Sequence, residues 1–176
     1  NEKPPKWTRS PQFDEASFTQ TIDGKIRLYV NAPLDDKGQP ARATRLIVYT
    51  LPAGNTIEQT LGCQAKKGLD WHYDIQHVAA QLRLLRSLLP SERIVLVCPE
   101  GPGLSWSPYR KAHPDADARM AQLVGDWRKE FGTGDTRVML VGHSNGGSFM
   151  FGVIDGAQSI PGYIDRIAFL DSNYNF

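Results

Sequence analysis

Gly142-His143-Ser144-Asn145-Gly146-Gly147 is the stretch of this chain best equipped for chemistry. It follows the apolar run Arg137-Val138-Met139-Leu140-Val141, which reads as a buried strand. It precedes Ser148-Phe149-Met150-Phe151-Gly152-Val153-Ile154, which reads as the start of a buried helix. A chain passing from strand to helix through G-x-S-x-G must turn sharply, and Gly142 and Gly146 have no Cβ to collide with their neighbours. The Ser144 hydroxyl would then stand at the strand end beside the N–H groups of a helix N-terminus. The chemistry this allows is nucleophilic attack on a carbonyl, with backbone donors receiving the oxyanion that develops.

A serine of this kind needs a base, normally a histidine. All four histidines lie at or before the turn: His72, His77, His113 and His143. His143 occupies the variable place inside the motif and points away from where a base would stand. His72 and His77 are five apart, so they do not share a helix face and make a poor metal pair. Within Asp70-Trp71-His72-Tyr73-Asp74, an aspartate capping the next helix is the better account. His113 sits in a long loop that could bring it toward Ser144.

The elements that would position Ser144 show in the hydrophobic pattern. Continuous apolar runs at residues 45–50, 93–98, 137–141 and 166–170 read as strands covered on both faces, since a strand with one wet face would alternate. Each run opens with Arg, read as a solvated strand start. Residues 17–22 and 25–30 do alternate, around Asp23-Gly24, and predict a hairpin. Residues 74–89 place Ile75, Val78, Leu82 and Leu85 on one helical face before Pro90. Residues 115–131 do the same with Met120, Leu123, Trp127 and Phe131 before Gly132. Strands alternating with helices predict an α/β fold, with a mostly parallel sheet and helices on both faces. Residues 1–16 are expected to form an extended arm and residues 17–176 a single domain; 40% hydrophobic content suffices for its core.

Hairpin, strand, helix, strand, helix, strand, G-x-S-x-G turn, helix, strand is the order in which the chain resembles the first two-thirds of the α/β-hydrolase fold. The form Gly-His-Ser-Asn-Gly-Gly looks like the nucleophile elbow of esterases and polyester depolymerases in that superfamily. The resemblance implies an acyl-enzyme on Ser144 and an oxyanion donor in the Asn145 backbone N–H. It implies a second donor from Leu51-Pro52-Ala53-Gly54-Asn55-Thr56, at Gly54 or alternatively Asn55. Pro52 and Ala53 there replace the family's His and first Gly, and Pro has no N–H to give. Asp171 matches the place where some lipases of the superfamily keep the triad acid; its other reading is a strand-end Asp bonding its own loop. The family order continues to a histidine after the acid, and this sequence has none after Ser144. The expectation is therefore a fold lacking its last strands, completed by a missing C-terminal segment or a second chain.

Residues 99–113 read as a loop bordering the site, from which Trp106 and Tyr109 could stack on a sugar or aromatic acyl group. Gly101 and Gly103 lack the third glycine and the lysine of phosphate-binding loops, so no cofactor is expected. A net charge of +1 gives no reason to expect nucleic acid, and no apolar stretch approaches the roughly 20 residues that span a bilayer. Cys63 and Cys98 have no metal or redox spacing. The opening Asn1-Glu2-Lys3-Pro4-Pro5 resembles the extended arm often found after a cleaved export signal, which predicts a secreted or periplasmic protein without excluding a cytoplasmic one. The function expected is a serine hydrolase cleaving a small or carbohydrate-linked carboxylic ester. The alternative is a binding module of the same fold that has lost its triad.

Overall fold

The computed structural model describes residues 5–62 and 76–172. Among these, seven strands form one sheet: β1 (Thr8–Arg9), β2 (Glu15–Ile22), β3 (Ile26–Pro33), β4 (Ala43–Thr50), β5 (Ile94–Glu100), β6 (Gly132–His143) and β7 (Ile164–Leu170). Their order across the sheet is β1-β2-β3-β5-β4-β6-β7. β5, β4, β6 and β7 pair in parallel, and β1, β2 and β3 add antiparallel at one end. The fold is α/β, and the sheet is mostly but not wholly parallel. Asp23 and Gly24, both in the left-handed region, turn β2 into β3 as the hairpin pattern predicts.

Five helices flank the sheet among the described residues: α1 (Ile57–Leu61), α2 (Val78–Leu88), α3 (Trp106–Ala112), α4 (Ala116–Phe131) and α5 (Gly146–Gly156). Successive side chains of a strand point to opposite faces, so β4 divides its residues between two cores. Leu46 and Val48 join Trp106, Met120, Trp127 and Phe149 under α3, α4 and α5. Ile47 and Tyr49 join Ile57, Val78 and Leu82 under α1 and α2. No helix among the described residues is long and apolar enough to cross a membrane.

Four expectations need correction. The N-terminal arm enters the sheet: Thr8 pairs with Ser17, and Trp7 packs edge-on against Phe18 at 4.7 Å. An indole of that area holds its segment down by burial, and β2 starts at Glu15. Arg45 is not a solvated strand start but a buried cation, with Glu92 at 2.5 Å and Asp165 at 3.2 Å from its guanidinium. The stretch 99–113 is not one loop, since it contains α3. β7, whose apolar run reads as covered on both faces, is only partly covered as the last strand of the sheet among the described residues: Phe169 is 41% and Leu170 46% exposed. Cys98 is buried and free, and burial pushes its thiol pKa far up. Cys63 and the cluster Asp70-Trp71-His72-Tyr73-Asp74 lie outside the described residues.

Candidate functional site

The strand order reverses at β4, with β5 on one side of it and β6 on the other. Loops leaving neighbouring strands at such a switch part to opposite faces and open a crevice at the strands' C-terminal ends. The loop at residues 51–56, the segment beginning at Gly101, the serine turn and Asp171 come directly after β4, β5, β6 and β7 respectively.

Ser144 adopts φ +49°, the left-handed region, which costs a non-glycine residue of order 1–3 kcal/mol. Bonds on both sides hold it there. Its N–H donates to the Leu170 carbonyl at 2.9 Å, and the Gly147 N–H donates to the Ser144 carbonyl at 3.0 Å. A Cβ at Gly146 would overlap the Thr50 carbonyl, and one at Gly142 would stand 2.9 Å from the Gly147 nitrogen. Their absence lets α5 begin directly against β4 and β6. The buried Thr50 hydroxyl donates to the Gly146 carbonyl at 2.8 Å, and the Ser172 hydroxyl donates to the Gly142 carbonyl at 2.7 Å. Sequence reasoning missed Thr50 and Ser172; for Thr50, a hydroxyl ending the otherwise apolar run of β4 was the available signal. Ser144 itself is half-buried, and its hydroxyl has no hydrogen-bond partner among the described residues.

The expected oxyanion donors are differently disposed. The Asn145 N–H has no partner among the described residues. The Gly54 N–H donates to the Leu104 carbonyl at 2.9 Å, and the Asn55 N–H donates to the Pro52 carbonyl at 3.3 Å, so both are engaged. The neighbouring Ala53 is exposed, with an N–H unpartnered among the described residues. The far end of this loop is pinned by helix capping. Thr56 and Gln59 exchange a capping box at the start of α1, and the buried Glu100 carboxylate accepts the Ile57 N–H at 2.8 Å. Arg27 holds Glu100 from the other side at 2.9 Å.

Asp171 lies just past β7 at φ +49° and is exposed. Its charge acts on His143, whose imidazole burial holds below its ordinary pKa while Asp171 opposes that shift. His113 is held away from any swinging role: its Nδ1 lies 2.8 Å from the Tyr109 carbonyl and its Nε2 3.0 Å from Lys25 Nζ. His77 immediately precedes α2, and His72 lies outside the described residues.

Trp106 and Tyr109 correct a further expectation. Three apart on α3, they face inward together, and they are only 1% and 8% exposed. The Trp106 ring meets Phe149 at 4.8 Å and Tyr109 at 5.9 Å, edge-on in both cases. Lys25 and the His113 ring cover Tyr109. Neither ring has a face left for a substrate. The Asn145 side chain, by contrast, reaches this segment. Its Oδ1 accepts from Ser105 Oγ at 2.9 Å and from the Trp106 N–H at 3.0 Å, and its Nδ2 donates to Ser107 Oγ at 2.7 Å.

No protein-family model matches the chain, and no curated protein is similar to it. Solved structures with a related backbone course include brefeldin A esterase, a bacterial homologue of human hormone sensitive lipase: 19% identity, TM-score 0.42, covering 91% of this chain and 41% of that one. Acetyl xylan esterase 1 from Thermoanaerobacterium sp. JW/SL YS485 is 16% identical with TM-score 0.45, covering 96% and 55%. A lipase/esterase from Lactobacillus plantarum is 12% identical with TM-score 0.37, covering 77% and 47%. The chain spans about half the length of these structures.

Proposed function

We propose that the chain carries the nucleophile of a serine hydrolase acting on a carboxylic ester, with Ser144 attacking the ester carbonyl. The observation that carries this reading is the strained turn. A glycine at position 144 would make the same turn without the left-handed penalty, so a purely structural role gives no reason for a serine. In the mechanism, Ser144 Oγ bonds to the acyl carbon and its proton passes to a base, which this reading locates outside the described residues. The Asn145 N–H and a donor from residues 53–55 receive the oxyanion. Gly54 serves only after releasing the Leu104 carbonyl. The tetrahedral intermediate collapses, the alcohol leaves with the proton, and water resolves the acyl-enzyme by the reverse path. Losing one such donor typically costs about 2.7–4 kcal/mol of transition-state stabilisation.

The test is the intact mass of the native protein before and after a fluorophosphonate probe, alongside p-nitrophenyl ester turnover. An adduct that disappears in Ser144→Ala, with turnover abolished and the fold retained, is the expected result. Unchanged turnover in Ser144→Ala sinks the assignment. No adduct on the native chain moves the reading to a binding module without a triad.

A further inference from the structure

Helix α3 begins without a cap of its own: Ser105, at its N-cap, makes no side-chain capping bond. The first N–H groups of a helix lack intrahelical partners and need acceptors from elsewhere. Here the acceptor comes from another element. Asn145 Oδ1 takes the Trp106 N–H at 3.0 Å, the Ser107 N–H at 3.5 Å and the Ser105 hydroxyl at 2.9 Å, while Nδ2 donates to Ser107 Oγ. One residue earlier, the Leu104 carbonyl accepts the Gly54 N–H. Residues 104–107 therefore touch both halves of the proposed oxyanion hole, the serine turn through Asn145 and the loop after β4 through Gly54. Gly103 and Leu104 hold left-handed φ of 64° and 59°, and the buried Trp106 anchors the segment on α5.

We infer that the Asn145 carboxamide is a positioning residue. It fixes residues 104–107 against the serine turn and, through the Gly54–Leu104 bond, sets the distance between the Asn145 N–H and the adjacent Ala53 N–H. The inference rests on the acyl-transfer reading of Ser144. Its physical basis is that oxyanion donors act chiefly in the transition state, where misplacement by about 1 Å can cost on the order of 100-fold in rate. The role of Asn145 is then double: its backbone donates, and its side chain holds the second donor in place.

The experiment compares wild type with Asn145→Ala, which keeps the backbone N–H and removes the clamp. The kcat for a p-nitrophenyl ester should fall roughly 10- to 100-fold with KM within about twofold, the pattern of an interaction made in the transition state. Amide hydrogen exchange at Trp106 and Ser107 should accelerate, while amides in the middle of α4 keep their protection. Asn145→Asp, which retains the acceptor oxygens, should restore that protection. Unchanged exchange at Trp106 and Ser107 in Asn145→Ala overturns the clamp. Faster exchange with unchanged kcat, or a change confined to KM, overturns the positioning role. Should Asn145→Ala fail to fold, the pair Ser105→Ala and Ser107→Ala removes the hydroxyl partners from the other side and should lower kcat in the same pattern. A wild-type chain with neither turnover nor probe adduct overturns the acyl-transfer reading instead, and exchange still reports separately on the clamp.

Discussion

On one face of the sheet, α3, α4 and α5 press Met120, Trp127, Phe149 and Met150 onto Leu46, Val48 and Leu140, each 3% exposed or less. On the other, α1 and α2 cover Ile47 and Leu96 but, among the described residues, leave a groove of about 410 Å³ walled by Leu84, Leu88, Met139 and Leu170. The serine turn hangs between these two regions. Its helix, α5, belongs to the filled face, while its Ser144 N–H bonds to Leu170 on the partly covered β7. This contrast between the faces locates the origin of the turn's geometry. Close packing of α5 against β4 leaves the backbone no room to relax, whereas the more open β7 side contributes, among the described residues, two hydrogen bonds: Ser144 N–H to the Leu170 carbonyl and the Ser172 hydroxyl to the Gly142 carbonyl. A dense core transmits a small steric change directly, and an open face absorbs it.

The largest effect should come from overfilling the closed side. Gly146→Ala places a methyl group on the Thr50 carbonyl, which is backbone and cannot swing aside. Overpacking costs about 1–3 kcal/mol or more, and here it adds to lost Thr50 and Ser144 geometry, so thermal unfolding should show a large drop or no cooperative transition. A transition within a degree of wild type would mean the turn is looser than its contacts imply. On the open side, two leucines of α2 make a direct contrast. Leu82 is 4% exposed and Leu84 60% exposed. Leu82→Ala should cost about 2–5 kcal/mol, and Leu84→Ala less than about 0.5 kcal/mol, by urea unfolding. Similar costs would show that something covers the groove in solution.

The smallest effect is a pH dependence at the junction. Burial lowers the His143 pKa from 6.5 in the folded state, so the unfolded chain binds the proton more readily. The contribution is then fully present above about pH 6.5 and is lost as pH falls through the lowered folded value. Urea midpoints measured from pH 8 to pH 5 should decline less in His143→Asn than in wild type. In Asp171→Asn, which removes the charge opposing the shift, they should decline more. Parallel curves in all three proteins would remove His143 from the account.

Much of the frame was legible because its signals are local. Continuous apolar runs located β4, β5, β6 and β7, and helical periodicity located α4 to within a residue. The glycines around Ser144 marked a sharp turn because only a turn explains them at that spacing. The errors have a common source. Trp106 and Tyr109 looked like loop aromatics free to meet a ligand, because nothing in residues 99–113 shows that Asn145 caps a helix there. Arg45 looked solvated because its partners Glu92 and Asp165 come from other strands' ends. Gly54 looked like a free donor because the Leu104 carbonyl that occupies it lies after a different strand.

Periodicity and steric freedom are properties of neighbouring residues. The α/β alternation, the strand carrying Ser144 and the sharp turn around it were therefore readable in the chain alone. Which N–H groups are engaged, which aromatics are buried and which face of the sheet is filled became fixed only on folding. Those depend on partners brought together by the crossovers about β4, and a hydrogen bond or a packed ring carries no trace in the sequence around either of its ends.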